Sequence, residues 1–555
     1  MPDLLLAGIE YSGYISIVKF VVFLILFLPW LALVDWVHTD AVQVEAKATF
    51  WTAVVFGAVA IAVLIWMIVP VFIVGMVIYI IALAGTSASY VRHRNTLVMD
   101  FDRILTAEHF KGLLSGNKEN KLDALKSFRF ITANGNEVPL PEPRTPDFFG
   151  YKATYDLFSD AMWRRASRIM FYLTHENYTI TYSIDGAAIK QPALGMEKAK
   201  YLIPFIKNLA DLNPKEKRKP QKGTFSIHQE QGGSDWEVST AGSTAGEQIQ
   251  IKRVTKEAAL RLVDVGLNAD QYEQLNRIRD LKQGLFIISG PKKSGVTTTF
   301  YALLRNHDAF LNSINTLERQ PAGKLTNITQ NIFTLSDTGV TTYAKKLQSI
   351  VRMGPTIVGV ADCTDSETAQ VACRATKDGK IVYVTLEADN VTKALGKWIK
   401  LVGDKNTAIE TLLGISCQQL LRNLCDKCKQ GYEPNQEILR KFNIPAEKAK
   451  LLYRAGKVQY EKHNKPIICE NCQGTGFVGR SGIFEFIAMN NELRSAIKQS
   501  KSLSDITTHL RRAKMLYLQE QALNKVINGT TSINEMVRAF SQSESQKAKK
   551  PEPKA

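Results

Sequence analysis

The first hundred residues alternate long apolar runs with short polar gaps. From Phe20 to Val34 no residue is charged, and Lys19 and Asp35 bracket the run. A second run, Phe50 to Gly85, goes 36 residues without a charge. A bilayer-spanning helix needs about 20 residues, and 36 residues of helix would extend ~54 Å at ~1.5 Å per residue. The pattern predicts a membrane anchor over residues 1–87 with two transmembrane passes, the second overlong and bent at Pro70; three passes is the alternative. The stretch between the runs holds Asp35, Asp40 and Glu45 against one lysine, Lys47, whereas Arg92, His93 and Arg94 follow the second run. The positive-inside rule then predicts that this loop is outside and the body after residue 88 is cytoplasmic. The first 15 residues contain Asp3 and Glu10 but no Lys or Arg, so no cleavable signal peptide is expected.

Beyond the anchor the periodicity changes. Residues 88–146 form a connector whose fold the pattern does not define. It ends in Pro139–Pro146, four prolines in eight residues, an extended linker. Lys152–Arg168 has helical spacing, Tyr178–Tyr182 alternates like a strand, and Asp185-Gly186 marks a tight reversal. Pro214–Gly223, rich in Lys and Pro, and Gly232–Gly246, rich in Gly, Ser and Thr, read as loops. Together these place a small α/β domain over residues 147–255. From 256 to 540, the β-branched runs Leu285–Ser289, Ile357–Val360 and Ile381–Thr385 alternate with helical segments. That is the pattern of a parallel sheet with crossover helices. The tail, residues 541–555, is Ser-, Gln-, Lys- and Pro-rich and is expected to be disordered.

Composition is that of a globular chain, 45% hydrophobic and 22% charged, and excludes a mainly disordered one. The net charge of +17 is unevenly spread. Residues 1–87 hold two lysines against five acids, so the remainder carries +20. Such a body suits acidic membrane lipids, nucleic acid or acidic proteins. No base-stacking aromatic pattern accompanies the Lys and Arg, so no specific nucleic acid is expected as partner. Seven cysteines are too few for a disulfide-stapled secreted fold.

Two clusters carry chemistry. The buried run Leu285–Ser289 leads into Gly290, Pro291, Lys292, Lys293, Ser294, Gly295, Val296, Thr297 and Thr298, then into a helical segment. Strand, Gly-rich turn and helix in that order form a phosphate loop, whose backbone N–H groups and helix N-terminus face phosphates. The glycine spacing is right and Thr297 stands where a hydroxyl would meet Mg²⁺. The lysine expected between Gly295 and Thr297 is Val296, which removes a charge-assisted contact worth ~1.5–3 kcal/mol. Lys292 or Lys293 could reach in from the other side. The loop is either a nucleotide cradle weakened for hydrolysis or a structural relic that binds nothing. The second cluster, Cys425-x2-Cys428 and Cys469-x2-Cys472, supplies two hooks and four thiolates, a closed tetrahedral set for structural Zn²⁺. Cys363, Cys373 and Cys417 lack such spacing and read as small buried hydrophobes.

With these motifs in order, the chain resembles the secretion ATPases of type II secretion and type IV pilus assembly (the GspE/PilB group) over roughly residues 150–540. The resemblance rests on Val265–Tyr272, the strand and loop just named, Thr297–Ala302, Asp365–Ala369, Gly476–Glu485 and Ile527–Met536. In the smaller domain it rests on Ile184–Gly186, Pro220-Gln221 with Gly223, Val238–Thr240 and Gly246-Glu247. It implies an α/β chain: transmembrane helices, a small α/β domain, then a RecA-like P-loop domain with a tetracysteine zinc subdomain at 425–472. It also implies a hexameric ring, of itself or with a paralogous ATPase, that binds ATP and Mg²⁺ and works on an inner-membrane platform protein.

The departures fall at the chemistry. The loop lysine is Val296. The adjacent acids of the family's Asp box are Glu318-Arg319, and its Walker B glutamate is Asp362. Its histidine positions read Gly379-Lys380 and Thr385-Leu386-Glu387. The arginines expected before Ile184–Gly186 are Thr181 and Ser183, and the expected Asp-Gly-Arg is Lys222-Gly223-Thr224. Glu318 and Asp362 are the remaining candidates for catalysis. Phosphoryl transfer depends on positioning and electrostatics, and here several supports are lost together. The reading is a membrane-anchored relative of the secretion motor acting as scaffold or regulator. The alternatives are an active ATPase with rearranged residues, and a nucleic-acid-associated membrane protein.

Overall fold

The computed structural model describes residues 17–44, 46–69, 71–98, 103–105, 125–143, 145–174, 176–230, 232–254, 260–334, 342–445, 447, 450–456, 459–460 and 466–547. Pro70 lies outside them. The chain divides into two compact units, one of residues 1–162, 168–182 and 190–253, the other of 163–167, 183–189 and 254–555.

The first unit begins with three helices, α1 (Ile17–Gln43), α2 (Ala48–Ile68) and α3 (Phe72–Leu97). Each is long and apolar enough to cross a membrane. The uncharged run from Phe50 to Gly85 is therefore two helices rather than one bent helix, and the three-helix alternative fits. The reversal is tight: a Cβ on Gly75 would lie 2.2 Å from Trp66 Cδ1, and Trp66 Nε1 donates to Phe72 O at 3.0 Å. At the far end Trp51 of α2 packs on Tyr90 and His93 of α3, so α2 and α3 are antiparallel. Trp30 and Phe56 stack across α1 and α2.

An up-down-up bundle puts the ends of α1 and α3 together. There Arg94 Nε pairs with Asp40 Oδ2 at 2.7 Å, both side chains at most 2% exposed, and Tyr90 Oη donates to the same oxygen at 2.7 Å. Two sequence expectations change as a result. The α1–α2 turn lies at the same end of the bundle as residue 98, so it is not on the opposite side from the body. Arg94 is also spent on an internal pair rather than standing as a free flanking cation.

The rest of this unit is a sheet built from β1 (Arg129–Ile131), β2 (Glu137–Val138), β3 (Arg168–Leu173), β4 (Asn177–Ile184), β7 (Gln221–Gln229), β8 (Gly232–Ser243) and β9 (Gly246–Val254). The short strands β5 (Ala187–Lys190) and β6 (Leu194–Gly195) follow β4 in the chain. The order is β2-β1-β7-β8-β9-β3-β4. Strand β1 runs antiparallel to β2 and β7, β7 to β8, and β3 to β9. The connector thus contributes two strands to the domain. The Gly/Ser/Thr-rich stretch read as a loop is strand β8, because Ser234, Trp236, Val238 and Thr240 recur with period two and all point inward. The helices Pro146–Trp163 and Met196–Leu209 cover this face, Phe158 against Phe225 and Trp236, and Phe205 against Phe130. Asp185 and Gly186, with φ of 48° and 79°, make the predicted reversal after β4.

The second unit is centred on a sheet of β10 (Gly284–Gly290), β11 (Ile314–Glu318), β12 (Thr329–Ile332), β13 (Ile357–Val360), β14 (Ile381–Glu387), β15 (Leu412–Leu424) and β20 (Phe477–Ala488). Its order is β12-β11-β13-β14-β10-β15-β20; every neighbour is parallel except the β15/β20 pair. The three β-branched runs are all central strands. Alternate residues enter two cores: Leu285, Ile287, Val358 and Val382 face the helices 343–352, 366–377 and 391–402. Phe286, Ile288 and Tyr383 face the helices 269–279 and 296–305. The last helix, Ile533–Lys547, runs into the tail expected to be disordered; residues 548–555 lie outside the described ones.

Arg94→Met would strand the Asp40 carboxylate at the bundle end, a loss of about 3–5 kcal/mol for half of a buried pair. Thermal denaturation of the full chain in detergent should show a clear drop, and Asp40→Asn combined with Arg94→Met should recover most of it.

Candidate functional site

Four parallel strands, β10, β14, β13 and β11, end on one edge of the sheet, and this edge holds every residue singled out from the loop and acid motifs. The register aligns Gly290 with Glu387 and Leu317 with Val360. Crevices outside the carboxyl ends of such strands are where ligands bind in open α/β sheets.

The loop after β10 has the geometry of a phosphate cradle. Gly295 has φ of 89° and caps the helix Val296–Arg305, and Lys293 also has a positive φ, 67°. From β15, Gln418 Nε2 donates to Ser294 O at 3.0 Å and clamps the loop. Ser294 Oγ is buried and has no hydrogen-bond partner among the described residues, a hydroxyl that fits a loop shaped for a polar guest. The cations are placed otherwise. Val296 is half-buried and packs on the apolar core beside β10, so the first helical turn presents a hydrophobic side chain at that position. Lys292, Lys293, Thr297 and Thr298 are exposed. Beside the loop opens a cavity of about 610 Å³, with Pro291, Asn390, Gln419 and Tyr517 among its walls.

Glu318, at the end of β11, is 2% exposed and accepts three hydrogen bonds. Tyr301 Oη donates to its Oε2 at 2.5 Å, Thr316 Oγ1 to its Oε1 at 2.7 Å, and Gln330 Nε2 to Oε1 at 3.2 Å. Tyr301 Oη in turn accepts from the N–H of Ala322 at 3.1 Å. Burial, reinforced by the Glu318 carboxylate, pushes the Tyr301 hydroxyl far up and keeps it a donor. Three protein donors thus occupy most of the acceptor sites of this carboxylate. Arg319, beside it, is exposed and stacks 4.5 Å from the Tyr343 ring centroid. Asp362 sits just past β13 with φ of 51°, its N–H donating to Thr385 Oγ1 at 2.7 Å. Sequence reasoning missed Tyr301, Gln330 and Gln418. Only Thr316 left a signal, standing two residues before Glu318 on the same face of a strand.

The cysteines converge for a topological reason. β15 ends at Leu424 and β20 begins at Phe477, and these two residues are paired partners in the ladder, so Cys425–Cys428 and Cys469–Cys472 are brought together despite the 40 residues between them. Within the insert, β16 (Gln430–Tyr432) pairs with β17 (Leu452–Arg454), and β18 (Gln459–Tyr460) with β19 (Pro466–Ile467). Cys425 and Cys469 sulfurs lie 3.9 Å apart, Cys428 and Cys472 3.6 Å, and all four within 4.8 Å. A Zn–S bond of ~2.3 Å implies a tetrahedral S···S spacing of about 3.8 Å. Asn471 Nδ2 donates to Cys425 Sγ at 3.2 Å and Gly476 N–H to Cys472 Sγ at 3.3 Å. The backbone N–H groups of Cys472 and Asn471 hold the Cys469 thiol down to about 7. The set fits a metal ion held by four thiolates. Cys363, Cys373 and Cys417 are buried elsewhere, and burial pushes the Cys363 thiol up to about 12.

Two measurements check this geometry. Elemental analysis should find about one zinc per chain, lost in Cys428→Ser/Cys472→Ser together with thermal stability. Tyr301→Phe removes a donor from a buried carboxylate and should lower stability by ~1.5–3 kcal/mol in denaturant titration.

With the geometry established, comparison places the chain among known proteins. A family profile described as Type II/IV secretion system protein matches residues 151–538, which leaves α1–α3 outside the match. The Type II secretion system ATPase E of Vibrio cholerae is 28% identical over 388 residues, 70% of this chain and 74% of that protein. A putative type II secretion system protein E of Escherichia coli is 30% identical over 69% of this chain and 76% of its own length. The Type IV pilus assembly ATPase PilB of Thermus thermophilus is 26% identical over 72% of this chain and 44% of its own. In fold, the Legionella pneumophila ATPase DotB aligns with a TM-score of 0.50 at 15% identity, over 72% of this chain and 98% of that one. The matched segment spans both the α/β domain and the RecA-like domain with its tetracysteine cluster, and the chain belongs to the type II/IV secretion system protein family of secretion and pilus-assembly ATPases.

Proposed function

We propose that this chain is a membrane-anchored member of the family that keeps the motor fold without turning over ATP, and that it acts as a scaffold or regulator in a bacterial secretion or pilus machine. The observation that carries the reading is Val296, a hydrophobic side chain packed on the core at the first turn of the helix that follows the cradle. Lys292 and Lys293 point to solvent and give the loop no internal cation. Glu318 adds support, since it is buried and already accepts from Tyr301, Thr316 and Gln330, which ties the carboxylate to the protein rather than to a water. Nucleotide, with Mg²⁺ at Thr297, would be held weakly by loop amides alone, or not at all. The four cysteines hold structural Zn²⁺.

The anchor reading places α1–α3 in the inner membrane with the body cytoplasmic. Lys47, Arg92 and His93 lie at the body end of the bundle, and the α2–α3 turn carries no charge. The acids Asp35 and Asp40 do not oppose this, because they weigh little in the rule. Partners would be a ring of itself or of a paralogous ATPase, and an inner-membrane platform protein.

The test is phosphate release and nucleotide affinity of the full chain in detergent, beside Val296→Lys and Lys292→Ala/Lys293→Ala. The expected result is no turnover in any form and a roughly ten- to hundred-fold gain in ATP affinity for Val296→Lys. Turnover by the unmodified chain that disappears in the double alanine variant would instead establish a rearranged motor.

A further inference from the structure

Beside the three apolar helices, in the same compact unit, the α/β domain holds a fixed array of cations. The chain from Asn213 to Lys219 is tied down from within. Lys207, fully buried, pairs with Glu247 at 2.6 Å and donates to Glu216 O at 2.6 Å. Gln221 Nε2 donates to Asn213 O and Glu216 O, each at 3.1 Å. The Glu216 carboxylate accepts from the backbone N–H groups of Arg218 and Lys219 at 2.7 and 3.0 Å. The only acid in the loop is therefore turned onto its own backbone. Lys215, Lys217, Arg218 and Lys219 are all exposed. A loop tied down in this way projects its charged side chains from set backbone positions.

Its location gives the array a direction. The loop and the helix Met196–Leu209 wall a cleft of about 720 Å³, with Ile203, Pro204 and Pro214 as apolar lining and Lys200, Lys215 and Lys217 as cations. The cleft also contains Glu247, already paired with Lys207, and Glu197. Met196 in its wall is 49% exposed. Glu197 also lines a neighbouring cleft of about 680 Å³, whose other walls are the last turns of α3 and the segment Arg103–Leu105. The cation-lined cleft therefore shares Glu197 with a cleft walled by the end of a bilayer-length helix.

We propose that this cleft docks the α/β domain onto the leaflet from which α3 emerges. Lys200, Lys215 and Lys217 would bind phosphodiester oxygens of anionic lipid headgroups, with Met196 against the interfacial layer. The inference rests on α1–α3 lying in a bilayer. Charge complementarity selects the occupant, since anionic leaflets attract basic segments within a Debye length of the surface.

The experiment is hydrogen exchange on the full chain in nanodiscs of phosphatidylcholine, compared with discs containing about one-third phosphatidylglycerol. Residues 196–204 and 213–219 should exchange roughly five-fold more slowly in the anionic discs. The protection should vanish at high salt and in Lys200→Gln/Lys215→Gln/Lys217→Gln, whose strands β7–β9 must exchange as in the parent to show an intact fold. Equal exchange in the two discs would overturn the proposal. So would protection produced in zwitterionic discs by inorganic phosphate alone, which would make the guest a soluble anion. A chain that enters neither disc would sink the anchor reading itself.

Discussion

A carboxylate taken out of water costs several kcal/mol unless donors replace its hydration, and much of this architecture is arranged to meet that demand. Asp40 is met by Arg94 and Tyr90 where α1 and α3 come together. Glu247 is met by Lys207, which also ties down the basic loop. Glu485 accepts from the N–H groups of Val391 and Leu518, capping two helices at once. Glu535 draws Arg422 from β15 and Arg538 from its own helix, joining the final helix to the sheet. Each pairing fixes the relation of elements distant in sequence. Glu318 belongs to the same series. Through Tyr301, Thr316 and Gln330 it holds β11, β12 and the helix 296–305 together.

What was legible in the chain follows from how local each signal is. The central strands Leu285–Ser289, Ile357–Val360 and Ile381–Thr385 are short β-branched runs buried on both faces, and no tertiary information was needed to see them. The Cys-x2-Cys hooks are legible for the same reason. Strand β8 was hidden because Gly232, Gly233 and Ser234 look like a turn, while the period-two burial begins only with Ser234, Trp236 and Val238. Strands β1 and β2 are three and two residues long, and β1 is a strand because β7 offers it a partner. The three-helix bundle was obscured because hydropathy measures length without showing a reversal. The reversal depends on Gly75 letting Trp66 approach. The Glu318 network was unreadable because Tyr301 and Gln330 reach it only through a crossover helix and a neighbouring parallel strand.

The glycines of the loop bear on how far a surviving motif argues for a surviving function. A Cβ on Gly290 would lie 2.2 Å from Ser294 Oγ and 2.7 Å from Gln418 O, contacts that the loop cannot relieve without opening β10 from β15. Gly295 must hold φ at 89° to turn the chain into the helix, a conformation that costs other residues about 1 kcal/mol or more. Both glycines are thus demanded by the fold whether or not phosphate binds. Position 296 is different, because its backbone is ordinary helix and its side chain is only half-buried against the core, so the fold restricts it less than it does the glycines. Glycine spacing therefore reports the architecture, whereas the side chain at 296 reports the chemistry. Where the two disagree, as they do here, the side chain is the better guide to chemistry, and it is on this side chain that the proposal of a scaffold role rests.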